Sequence, residues 1–103
     1  MDKNTVEEIS AQSPWKIKEA TDERLAFAGR LISDGTMNRI RDIVQLVKIT
    51  SLSKVMHINY NTMVKRLYAP KAFTVEEIGR LAKLLSIEKS TLYQYLDKEV
   101  SGR

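Results

Sequence analysis

Residues 50–70 read TSLSKVMHINYNTMVKRLYAP, and this stretch decides the fold. Leu52, Val55, Met56 and Ile58 form a short apolar set that fits a helix of about two turns near 50–57, with Thr50 or Ser51 as its N-cap. His57-Ile58-Asn59 reads as a tight connection, and Asn59 is a good cap for a second piece running from Tyr60 to about Tyr68. Ala69-Pro70 ends that piece, because a residue before proline is pushed out of the α region. Two short helices joined this closely have little freedom in how they cross.

The flanks continue in helical period. Upstream, Met37, Ile40, Ile43, Val44 and Val47 recur at three and four, which predicts a helix over about 36–48, after the turn chemistry of Ser33-Asp34-Gly35-Thr36. Downstream, Thr74-Val75-Glu76-Glu77 is a capping box, with Thr74 at N-cap and Glu77 at N3. Ile78, Leu81, Ala82 and Leu85 carry that helix to about 85. A last helix is expected near 88–97 with Leu92, Tyr93, Tyr95 and Leu96. Earlier, Thr21 or Asp22 could cap a helix through Leu25, Phe27, Ala28, Leu31 and Ile32. Trp15, after Pro14, is expected to pack onto something, and the first dozen residues to fray. No stretch alternates at period two, so the class is all-α.

Composition bounds the function. The chain has 103 residues, enough for one modest domain. It holds no cysteine and one histidine, which excludes disulfide scaffolds, thiol catalysis and the usual zinc sites. No apolar run approaches the roughly 18–20 residues of a membrane span, and MDKNTVEEIS is acidic and polar rather than signal-like. A cytoplasmic protein is the expectation. No cofactor and no metal are implied, and no nucleophile–base pair or phosphate loop points to an enzyme. Glu76 and Glu77 side by side suggest acid–base chemistry, but capping accounts for them.

The net charge of +4 is unevenly placed. Residues 1–35 carry five bases and seven acids; residues 36–103 carry twelve and six. Between Asp42 and Glu76 there is no acid, while Lys48, Lys54, Lys65, Arg66, Lys71 and His57 fall in the gap. Such a window suits a phosphate-facing surface. It also contains the tight helix pair.

That pair, with the helices around it, resembles the phage-repressor and Cro type of helix-turn-helix domain, the lambda-repressor-like or XRE-like fold, over about residues 37–96. Leu52, Met56, Ile58 and Met63 fall where the motif has apolar residues, and Ser53 stands where the family usually has a small Ala. Two departures stand out: His57 replaces the Gly of the turn, and Arg66 stands where the last core residue of the third helix is expected, that role passing to Leu67. The resemblance implies a five-helix domain over 36–97, with 1–35 as an N-terminal helical extension or dimer arm and 98–103 as a tail. It also implies transcriptional regulation through double-stranded DNA.

With Met63 and Leu67 in the core, the opposite face of the 59–68 helix carries Asn61, Lys65 and Tyr68, with Thr62 and Val64 beside it. Candidate base contacts are therefore Tyr60, Asn61, Thr62, Val64 and Lys65: Asn pairs with adenine, Lys with guanine, and Val64 can touch a thymine methyl. Candidate backbone contacts are Thr50, Ser51, Lys54, Arg66 and Lys71. Bland roles compete at each position, since Asn61 can be a plain surface amide, Tyr60 can pack at the core edge and Tyr68 can shield the Pro70 turn. One short reading helix makes few base contacts, so a homodimer is expected, with the 88–97 helix or the N-terminal helix as its seam. The alternative function is a protein-interaction module or antitoxin-like adaptor that has lost specific DNA reading and holds a partner through residues 1–35.

Overall fold

Thr21 starts the first helix by accepting a hydrogen bond from the Arg24 amide (3.2 Å), and Asp22 and Glu23 follow in the first turn. The structure, a computed structural model, describes residues 19–101; Trp15 and the first dozen residues lie outside that range. In order the α-helices are α1 (Asp22–Ser33), α2 (Ile49–Met56), α3 (Tyr60–Tyr68), α4 (Val75–Leu85) and α5 (Lys89–Ser101). Short 3₁₀ segments at Ile40–Gln45 and Pro70–Ala72 complete the chain, and no strand occurs among the described residues.

One core serves all of these elements. Leu25, Ala28 and Ile32 of α1, Leu52 and Met56 of α2, Met63 and Leu67 of α3, Ile78, Leu81 and Leu85 of α4, and Leu92 and Leu96 of α5 are all buried in it. The first helix lies across α4 at very short range. A Cβ built on Gly29 would run into the carbonyl oxygen of Leu85 and press on Ile87 Cγ2 at 3.1 Å. Glycine at 29 therefore sets the depth of this crossing.

The helix expected over 36–48 is corrected to the 3₁₀ segment Ile40–Gln45. Asp34 Oδ1 accepts from the Thr36 amide (2.9 Å), Gly35 takes φ +82°, and the Met37 amide donates to the Leu31 carbonyl. These bonds tie the chain to the end of α1, and Arg39 is still extended at φ −133°. The apolar stripe survives, because positions 37, 40 and 43 are spaced by three, the period of a 3₁₀ helix. Met37, Ile40, Ile43 and Val47 are buried. The ends of this segment are held from a distance: Glu99 Oε1 accepts from the Ile40 amide (2.9 Å), and Arg24 Nη1 donates to the Leu46 carbonyl (3.3 Å).

Boundaries elsewhere shift modestly. Lys48, without a side-chain cap, precedes α2, so Thr50 and Ser51 lie inside its first turn. The last helix runs to Ser101 rather than 97.

Gly29→Ala should cost about 1–3 kcal/mol of stability by forcing α1 off α4. Gly79→Ala is the control. Its added Cβ would meet nothing nearer than Lys89 Cε at 3.7 Å, so it should gain up to about 1 kcal/mol from helix propensity. Urea denaturation of the two variants should move the midpoint in opposite directions.

Candidate nucleic-acid interface

The α2–α3 connection is built from main-chain bonds. His57 adopts a left-handed backbone (φ 59°, ψ 38°), its amide donates to Lys54 O (3.2 Å), and the Ile58 amide reaches Ser53 O (3.1 Å). This is the Schellman pattern, usually completed by glycine. Ser86 ends α4 in the same way. Asn59 Oδ1 then accepts from the Thr62 amide (2.8 Å) and starts α3. Ser53 is buried, and its hydroxyl donates to Thr50 O (2.9 Å), so a small polar residue fits the crossing without an orphaned group.

Two arginines lock the pair onto α4. Arg80 Nη1 donates to the Met56 carbonyl (2.6 Å), satisfying the end of α2 just before the turn. Arg66 closes a two-pronged pair with Glu77, Nε to Oε1 at 2.7 Å and Nη2 to Oε2 at 3.4 Å. Both side chains are largely covered, at 18% and 12% exposed. Burial pushes the Glu77 carboxyl up. The hydrogen bonds from Arg66 and the Thr74 amide, with the positive charge of Arg66, outweigh it and leave the carboxyl below its ordinary value.

The five candidate base-contact residues divide by exposure. Asn61, Lys65 and Tyr60 are exposed, the last at 47%. Thr62 and Val64 are half-buried at the edge of the same helix. Met63 and Leu67 are fully buried opposite them.

The five candidate backbone contacts divide as well. Thr50, Lys54 and Lys71 are exposed. The Ser51 hydroxyl accepts from the Ala20 amide (2.7 Å), which anchors the approach to α1. Arg66, expected as a phosphate contact, is largely covered, with its fork engaged by Glu77. Lys48 pairs with Glu19 at 3.2 Å. Lys54, Lys65 and Lys71 remain exposed and outside any ion pair among the described residues.

Arg41, which the sequence reading did not single out, comes to the same side of the molecule. Its Cζ stands 5.4 Å from the centroid of the Tyr68 ring, and Tyr68 is 56% exposed. Arg80 and Glu99 also escaped that reading, since each acts across more than twenty residues on a backbone group. Arg66 did carry a signal: a base at the core boundary calls for an acid partner.

A separate apolar groove lies where α4 meets α5. Phe73, Ile78 and Leu96 form its floor, and Tyr93, Val100 and Val75 stand exposed along it. Of the four aromatic and aliphatic residues expected at a seam, Leu92 and Leu96 face the core, Tyr95 is half-buried, and Tyr93 points outward. No group of acids and histidines among the described residues is arranged to hold a metal, and no helix there is long and apolar enough to cross a membrane. No protein-family model, curated protein or solved structure matches the chain.

Glu77→Gln tests the Arg66 pair through pH. The folded-state carboxyl sits below its unfolded value, so its contribution is complete above about pH 4.5 and is lost as pH falls through the lowered folded value. The variant should be less stable than the parent by about 1–3 kcal/mol at pH 7, and the gap should narrow toward pH 3. Denaturant titrations at both pH values measure it.

Proposed function

We propose that the chain is a sequence-specific double-stranded DNA-binding protein of the lambda-repressor-like helix-turn-helix type, acting in transcriptional regulation. One observation carries this reading. The face of α3 turned away from the core is polar and free of acids, with Asn61 and Lys65 exposed, and it belongs to a helix fixed at both ends. The N-terminal turn of α3 would enter the major groove with Tyr60, Asn61 and Thr62 leading, while Val64 and Lys65 follow along the groove. Thr50, Lys54 and Lys71 would hold the phosphates. Buttressing by Arg80 and by the Arg66–Glu77 pair favours recognition, because a reading helix that rocks cannot hold an amide to one base edge.

Asn61→Ala should weaken binding to the best site by about 1–3 kcal/mol and relax preference at one base pair. Lys71→Ala should weaken all sequences alike and reduce the salt slope by about one. Selection from a randomised duplex library at physiological salt, followed by titration of both variants, tests the pair. Equal loss on selected and random duplex for Asn61→Ala would remove its base-reading role.

A homodimer fits a single short reading helix, with half-sites about 34 Å apart. The groove bordered by Tyr93 and Val100 supports a seam on α5, since Glu88 and Lys89 on its rim carry opposite charges that can pair across a two-fold contact. Tyr93→Glu should convert a dimer to monomer in sedimentation velocity and leave half-site binding only. A parent chain that is monomeric at high concentration, with and without DNA, would refute the dimer.

The second reading, a protein-interaction module or antitoxin-like adaptor, is favoured by the same groove and by the diversion of Lys48 and Arg66 into ion pairs. Failure of the library to enrich any motif would move the assignment to it.

A further inference from the structure

Arg41 lies outside the acid-free window and outside the α2–α3 pair, yet the fold carries it to α3. The segment that holds it, Ile40–Gln45, is pinned at its start by Glu99 and tied near its end by Arg24, so residue 41 sits on a fixed backbone. Its guanidinium lies against the exposed ring of Tyr68 at 5.4 Å, within cation–π range. None of the ion pairs among the described residues involves it. Of the nearby carboxylates, Glu99 is engaged by the Ile40 amide, and Asp42 makes no ion pair within 4.0 Å. A guanidinium held over a ring by its charge, with no carboxylate of the described residues on its fork, keeps N–H groups for a further acceptor. Through such a fork arginine meets a phosphate with two hydrogen bonds.

The surroundings point to the same ligand. Lys65 stands one turn before Tyr68 on α3, and the two share a face. Lys71 follows three residues after Tyr68 and is exposed. Tyr68 thus separates two exposed lysines, and Arg41 adds a third positive charge over it.

We infer that Arg41 is a phosphate contact of the proposed DNA interface and that Tyr68 is its positioning residue, holding the guanidinium toward the phosphate strand beside the C-terminal end of α3. This rests on the reading of α3 as a DNA-binding helix and extends the footprint onto the 3₁₀ segment. Tyr68 acts through Arg41 and not through a base.

The test uses the full chain and the duplex from the library selection, with a random duplex of equal length as the second probe. Affinity is measured between about 50 and 200 mM salt. Arg41→Gln should weaken both duplexes equally, by about 3–10-fold, and lower the salt slope by about one. Tyr68→Phe keeps the π face and should behave as the parent. Tyr68→Leu removes it and should reproduce much of the Arg41→Gln loss, while the double variant Arg41→Gln/Tyr68→Leu should be no weaker than Arg41→Gln alone.

A purely structural stack, favourable because a cation sits near the C-terminus of α3, would alter melting temperature and leave the salt slope unchanged. That result overturns the inference, as does full additivity of the two substitutions. Binding by the parent with an unaltered slope in Arg41→Gln refutes Arg41 alone. A parent that binds no duplex even at low salt refutes the DNA reading and this inference together.

Discussion

Glu77 Oε1 accepts two hydrogen bonds at once, from the Thr74 amide at 3.0 Å and from Arg66 Nε at 2.7 Å. One carboxylate thus starts α4 and grips α3. Between the two helices runs the Pro70–Ala72 turn, which by itself would let α3 pivot. A capping bond alone contributes about 1 kcal/mol, and any exposed ion pair contributes less. The same group largely covered, with several donors converging on it, is much harder to replace, since loss of either partner leaves a charge facing the core. The orientation of the proposed reading helix follows from this contact more than from the turn before it.

The turn that leads into α3 depends on a second long-range bond. The left-handed backbone at His57 satisfies the carbonyls of Ser53 and Lys54, and Arg80 satisfies Met56. Arg80 also reaches Glu76 at 3.4 Å, an exposed i,i+4 pair of little energetic weight. Its importance lies in the carbonyl it caps. Helix α4 therefore presents two side chains, one turn apart, to the turn that leads into α3 and to the last turn of α3. In turn α1 fixes α4 through the close approach at Gly29, which makes the N-terminal helix part of the frame that holds α3.

Much of this arrangement was legible in the sequence where the signal is local. The caps at Asn59 and Thr74, the stop at Ala69-Pro70, the tight connection at His57, and the burial of Met63 and Leu67 are all properties of a few adjacent residues, and each is found as read, while Thr21 is the one that caps of the two residues read for the first helix. The 36–48 segment misled because its stripe satisfies two periods. Met37, Ile40 and Ile43 suit either helix type, and the choice was made by hydrogen bonds from the Met37 amide to Leu31 and from the Ile40 amide to Glu99, whose acceptors lie six and fifty-nine residues away. The partner of Arg66 was hidden for the same reason: it lies eleven residues on, beyond a proline turn. Charge counting treats every base in a window as available, and folding withdrew two of them into ion pairs while bringing in Arg41 from outside.

That redistribution bears on function more than the net charge does. An acid-free window with six basic or titratable side chains would suit loose attraction to any polyanion. After folding, three exposed lysines and one arginine held over the Tyr68 ring remain around a helix whose polar face carries an amide. Few charges with fixed positions give weak non-specific attraction and leave discrimination to the base edges. Few contacts per chain in turn put the burden of affinity on pairing two copies, and the unpartnered groove at Tyr93 and Val100 lies where α4 meets α5. A chain built to bind one protein partner through that groove would have no need to brace α3 from both ends. The bracing of α3 by its cap and by Glu77 is what favours the first of the two readings.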